Sequence, residues 1–416
     1  MNSKTSDGWR PLKGIKVIDF SMLLPGPLTT LILADLGAEV IKIEPPGGDY
    51  ARHMKSWIFE GANRNKKSIE LDMKSASSGR IVERLAARCD VAVEGFRPGV
   101  ADKLGFGIDA LRAINPRIVY CSISGFGQSG PDRMKPGHDL AYLAMGGAIV
   151  HKGQLGKQPA RSSLPVADIV GGAYAAIAIL AALRERDETG RGAALDLSLY
   201  ESALYTSAVR FGFETPVDSV SHLYPANDLF RCADGRQLAL TIVEPKFWDN
   251  FVEAISMTAP EFAAEQFATE AGRLENAEHL MSLLDDLFAQ RASQDWVDFL
   301  ESHDVPAAVC LTPAEAVKTD HAVARAMHLE TSGGTVMPFP VIADGRHLPR
   351  EQSLAPALGG DAFDILSDLG FEDAEIAQFS REGTVRLTQP ASAHRRGEPV
   401  LKPSAVHQGS RSGVGA

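Results

Sequence analysis

Two polar residues stand beside glycines at the edge of apolar helical runs: His138, in KPGHDLAYLAMGGA, and Asp168, in LPVADIVGGAYAAIAILAAL. Each has a structural and a chemical reading. Asp168 comes just before an almost unbroken apolar helix, so it reads as an N-cap whose carboxylate takes free N–H groups. Gly171 and Gly172, one turn later, leave backbone bare beside it. A carboxylate placed there would sit in a small, partly dry space with N–H groups aimed into it, which suits chemistry on an anionic intermediate. His138 reads either as a satisfied structural histidine or as a proton-transfer group. Asp139 would fix the tautomer of that imidazole or cap the helix that follows. Glu244, in TIVEPKFW, ends an apolar strand and by itself reads as a surface or turn residue.

Cations form a second feature. Residues 51–68 carry Arg52, Lys55, Arg64, Lys66 and Lys67 against the single acid Glu60. Lys42, Lys74, Arg97 and Lys103 lie at or just beyond strand ends. Such a set is either a solvated face or a phosphate site at the strand ends of an open α/β sheet. GFGQSG (125–130) matches the dinucleotide pattern G-x-G-x-x-G, which also needs a helix opening at the motif. PDRMKPG follows instead and cannot start one, so the motif reads as a tight backbone loop.

These residues need a scaffold, and the apolar periodicity supplies one. IKVIDF (15–20) and EVIKIE (39–44) read as strands around a helix opened by Pro27 and closed by Gly37, a βαβ unit that predicts a parallel sheet with covering helices. Further strands are expected at 68–73, 90–96, 117–124 and 193–199, with helices at 76–88, 170–185 and 200–212. Composition shifts after about 215. Strands at 231–235 and 236–243, then helices at 246–256, 274–291 and 293–303, suggest a smaller α+β domain. Residues 306–311 and the stretch after 330 are expected to return to a sheet. The expected organisation is a large domain over 1–215, a small domain over 216–325, a return to the large domain over 326–390 and a flexible tail over 391–416.

Composition excludes some classes. The formal net charge of −11 argues against a dedicated nucleic-acid binder, while leaving room for a local basic pocket. Cys89, Cys121, Cys232 and Cys310 form no C-x-x-C pair, so no zinc or redox motif appears and a reducing compartment fits. The polar N-terminus does not read as a secretory signal. The apolar run at 169–183 is too short to span a bilayer. A soluble, cytoplasmic protein with no membrane partner is expected.

Several blocks together resemble one known family. IKVIDFSMLLPGPLTTLILADLGAEVIKIEPPGGD, NRNKKSIELDMK, VEGFRPGVADKLGFG, SISGFGQSGP and RGAALDLSLYESAL look like the successive motifs of the class III CoA-transferase superfamily, over about residues 11–385. The resemblance implies an α/β fold: a Rossmann-like large domain with a parallel sheet, plus a smaller middle domain, in an interlocked homodimer. It implies CoA contacts at Lys42, Leu71, Lys74, Gly95, Arg97 and Lys103. CoA then belongs to the substrate, and neither a metal nor a separate cofactor is implied. The superfamily runs two chemistries. Its transferases use an aspartate, matching Asp168, as the nucleophile. Its α-methylacyl-CoA racemase branch, which this chain resembles most, uses that aspartate as one acid/base and a histidine, matching His138, as the other. Glu244 matches a glutamate that assists the histidine. The chain departs from the racemase pattern at Ala141, at Gly146, after Asp168 and near 358–364, positions that bear on the acyl group.

Overall fold

A computed structural model describes residues 8–155, 157–331, 334–349 and 352–388. The expected tail over 391–416 lies outside them. Six parallel strands form the main sheet: β1 Lys16–Asp19, β2 Glu39–Glu44, β3 Lys66–Glu70, β4 Val91–Glu94, β5 Val119–Ser124 and β6 Ala194–Ser198. Their spatial order is β3-β2-β1-β4-β5-β6. The chain thus leaves β3 at one edge and crosses back to β4 beside β1. This is the doubly wound topology that opens a crevice beyond the carboxyl ends of β1 and β4.

The period-two alternation of strand side chains explains why both faces are covered. Val17, Val40, Val93 and Cys121 point into one core, shared with Leu33, Ala175 and Ile179 of the covering helices. Ile18, Ile41, Ala92 and Tyr120 point into the other, shared with Ile81, Leu85, Leu111, Ile365 and Phe379. The last two residues show that the C-terminal part of the chain packs back on the large sheet. A separate core over Ala226–Val305 holds the smaller domain, around Phe230, Trp248, Leu284 and Trp296. Its antiparallel sheet joins β7 Asn227–Arg231, β8 Gln237–Thr241 and β9 Ala307–Val309.

Several elements differ from expectation. Residues 232–235 form the turn between β7 and β8 rather than a strand, because Gly235 takes φ +79° and closes the hairpin on Cys232. The helix expected at 274–291 is two, Glu270–Glu275 and Ala277–Phe288. The stretch after 330 makes two short ribbons, Leu329–Thr331 with Gly334–Val336 and Ile342–Ala343 with Arg346–His347, and among the described residues adds no strand to the main sheet. The helix expected at 170–185 runs from Val166 to Thr189, long and apolar enough to cross a membrane by length and composition. Here it is a core helix, packed on the Pro25–Asp35 and Leu199–Phe211 helices through Gly171, Gly172 and Ala175.

Candidate active site

A cavity of about 310 Å³ opens beyond the carboxyl ends of β1, β4 and β5. Its wall is built from Met22, Leu23, Pro25 and Gly26 after β1, Gly95–Pro98 after β4, the end of β5 from Ile123 into Gly125, then Arg133, Lys135–His138, Tyr142 and Asp168. His138 and Asp168, far apart in sequence, therefore face one space.

Asp168 is not the N-cap. It is the third residue of the Val166–Thr189 helix, whose cap position is Pro165 with no side-chain bond. The cap comes from elsewhere: the Asp139 carboxylate accepts the N–H of Ala167 at 2.7 Å and of Asp168 itself at 3.3 Å. Asp139 thus neither bonds the His138 imidazole nor caps its own helix, Asp139–Met145. It ties the segment carrying His138 to the helix carrying Asp168. Burial, and then the negative charge of Asp139, push the Asp168 carboxyl up to about 7. That value suits a group exchanging protons near neutrality.

Gly171 and Gly172 do not expose backbone near the carboxylate. A Cβ on Gly171 would meet the Leu199 side chain at 2.4 Å, and one on Gly172 would meet the Pro25 carbonyl at 2.7 Å. They are glycine because two neighbouring elements press directly onto this helix.

His138 occupies the N-cap position of Asp139–Met145, exposed to the cavity, and its ring makes no hydrogen bond among the described residues. Its carbonyl accepts the Ala141 N–H at 2.8 Å. The amides of His138, Asp139 and Leu140 find no acceptor among the described residues, which leaves free donors beside the cavity. Tyr142 holds this segment in place: its hydroxyl donates to the Gly137 carbonyl at 2.6 Å, and its ring packs edge-on against Phe126. A Cβ on Gly137 would lie 2.6 Å from that ring. Gly137→Ala is therefore expected to displace His138 and lower turnover at least about tenfold, given that misplacements of about 1 Å can cost a hundredfold. Steady-state kinetics on the folded variant check it, and unchanged turnover contradicts it.

The cations sort into two groups. Most of the basic run is neutralised inside the fold. Arg52 pairs with Glu44, Arg64 with Asp35 and Lys66 with Asp19, while Lys67 meets Glu39 at the surface. Lys42, expected to contact CoA, is wholly buried and pairs with Asp49 at 2.9 Å, so its ammonium does not reach a solvent-borne phosphate. Leu71 likewise places its side chain in the core, pairing through its backbone with Val385. Lys74 and Lys103 are exposed but do not line this cavity. Gly95 and Arg97 do line it. So do Arg133 and Lys135, which sequence reasoning passed over although PDRMKPG runs directly into His138. Arg97 and Arg133 are exposed and make no ion pair among the described residues; Lys135 has only Asp132, at 3.7 Å. Three cations thus stand at the cavity with little to neutralise them.

Glu244 is not brought to His138 within one chain. It is exposed at the start of the Pro245–Ile255 helix in the smaller domain and lines no part of the cavity. GFGQSG is a loop, with Gly127 at φ +81° and the Gln128 N–H held by Asp196. The next helix starts only at Asp139, which removes the dinucleotide geometry. Among the described residues, no cluster of three or more His, Cys, Asp or Glu side chains is arranged to hold a metal ion.

Proteins similar to this chain carry names from both chemistries. The chain is 29% identical over 385 residues to human alpha-methylacyl-CoA racemase, covering 89% of this chain and 96% of that one. It is 33% identical over 371 residues to acetyl-CoA:oxalate CoA-transferase of Acetobacter aceti, covering 84% and 93%. Its fold matches the crystal structure of a CAIB/BAIF family protein from Brucella suis with a TM-score of 0.76 at 29% identity, over 86% of this chain and 99% of that one. The sequence model of CoA-transferase family III spans residues 12–362, which takes in both sheet faces, the smaller domain and every wall of the cavity, and the chain belongs to that family.

Proposed function

We propose that the protein racemises 2-methylacyl-CoA thioesters by proton exchange at C2. The observation that carries this reading is the convergence of His138 and Asp168 on one cavity, with the Asp168 carboxyl raised to about 7. One group removes the α-proton, the other returns a proton on the opposite face, and reversing direction swaps their roles. The enolate oxygen requires donors fixed in advance, and the unbonded amides at His138–Leu140 supply them. Arg97, Arg133 and Lys135 hold the CoA phosphates, which anchors the thioester while the acyl chain varies. The reaction needs no oxidant, reductant or acceptor acid.

The alternative is CoA transfer between carboxylic acids with Asp168 as nucleophile. One observation favours it: Glu244 stands outside the cavity of a single chain. A homodimer answers that observation, and we propose one in which the partner's small domain closes the site. Ile177, Tyr205 and Val209, exposed along two adjoining helices, and Phe213 in the turn just after the second, give it an apolar surface to bury.

The pH dependence separates the two chemistries. Racemisation requires the pair to hold one proton, so kcat/KM follows a bell that is the same in both directions. A nucleophilic Asp168 must be ionised, so transfer rises through about pH 7 and then levels off. Asp139→Asn removes the negative charge that helps hold the Asp168 proton, and is expected to move the acid limb to lower pH. The groups facing Asp168 across the cavity are His138, Tyr142, Arg97, Arg133 and Lys135, all left in place by that change. A bell supports the racemase; a single rise with an acceptor acid present sinks it.

A further inference from the structure

Leu23 lines the reaction cavity with φ +66°, in the left-handed region where a leucine sits only when its surroundings impose it. The surroundings are charged and buried. The Leu23 N–H donates to one Asp49 oxygen at 3.0 Å. The other Asp49 oxygen lies 2.9 Å from the Lys42 ammonium, which also donates to the Ser21 carbonyl at 2.9 Å. Both side chains are wholly shielded from solvent. A second buried pair, Asp19–Lys66, holds the two ends of the same segment through the Ser21 N–H and the Pro27 carbonyl. In between, the Pro25 carbonyl presses against Gly172, one turn beyond Asp168.

Buried ion pairs are weak sources of stability, and well-packed apolar replacements are often neutral. The use of this one lies in the backbone it shapes. We propose that Asp49, backed by Lys42, is a positioning residue: it fixes Leu23 left-handed and so sets the wall that holds the thioester in line with Asp168. The proposal rests on that cavity being the acyl-CoA site and is the same for racemisation and transfer.

A single substitution would strand a buried charge and risk misfolding, so the test uses the neutral double variant Lys42→Met with Asp49→Ala, assayed where it is folded by circular dichroism. The expected result is a fall in kcat of about tenfold or more with KM moved less than about threefold, since positioning acts on the reacting geometry. Adding Leu23→Gly, which reaches positive φ without strain, recovers part of the loss relative to Leu23→Gly alone. A folded double variant with wild-type kcat, or a loss that Leu23→Gly leaves untouched, overturns the proposal. Amide exchange at Leu23 gives a readout independent of turnover: at least about tenfold faster in the double variant, because its N–H has lost its acceptor. Unchanged exchange overturns the proposal even if the protein catalyses neither reaction, whereas faster exchange in a protein without either activity sinks only the assignment of the cavity.

Discussion

Asp168→Ala is expected to lower turnover at least about a hundredfold, the usual size of a lost acid–base partner, while acyl-CoA affinity changes little. The separation follows from the geometry. Under the proposed function the phosphates go to Arg97, Arg133 and Lys135, none of which bonds Asp168 among the described residues, so binding and proton transfer would rest on different side chains. The same substitution removes the nucleophile in a transferase, so the loss marks Asp168 as the reacting group under either chemistry. Its effect on stability runs the other way. The folded carboxyl is raised from its ordinary 3.8 to about 7, so folding favours the protonated form and stability is lost as pH rises between those values. Asp168→Asn is therefore expected to raise Tm relative to wild type more at pH 8 than at pH 5. Thermal unfolding at the two pH values measures this, and an equal or opposite difference contradicts the burial assigned to the group.

His138→Ala carries the second large effect, because it separates the two chemistries. In racemisation it removes one of two obligatory proton carriers, and the expected loss again reaches about a hundredfold or more. In transfer the nucleophile survives, and most of the rate should survive with it. The fold makes the comparison clean. His138 is exposed, its ring bonds nothing among the described residues, and the carbonyl that starts its helix is kept by alanine. Tyr142 still holds Gly137. Chiral analysis of the acyl group, run beside a CoA-transfer assay, reads both activities on one preparation. A variant that racemises normally removes His138 from the mechanism.

The large sheet was legible because its strands are short apolar runs with marked ends. Residues 39–44, between Gly37 and a Pro-Gly turn, match β2 residue for residue. β3 begins at Lys66, earlier than hydrophobicity indicates, because that lysine is neutralised by Asp19, Asn63 and the Pro27 carbonyl inside the fold. His138 and Asp168 could be singled out from their glycine neighbours and the family motifs. What joins them could not: Asp139 caps a helix that starts after a long loop, and only the folded chain brings the two together. The basic run misled for the same reason. Arg64 and Lys66 meet their acids from other elements, so charges that look unpaired in a local count are paired in the fold. Arg133 and Lys135 lie in PDRMKPG, a stretch that the sequence marks only by its inability to start a helix.

The most direct test of the central claim is incubation of the purified protein with a single enantiomer of a 2-methylacyl-CoA in deuterated water, with no acceptor acid, following C2 by mass spectrometry and chiral separation. The account predicts one deuterium gained at C2, with progressive loss of stereochemical purity. If several acyl chains show no exchange, while CoA moves as soon as a free carboxylic acid is added, the racemase reading is contradicted and Asp168 becomes the nucleophile of a transferase.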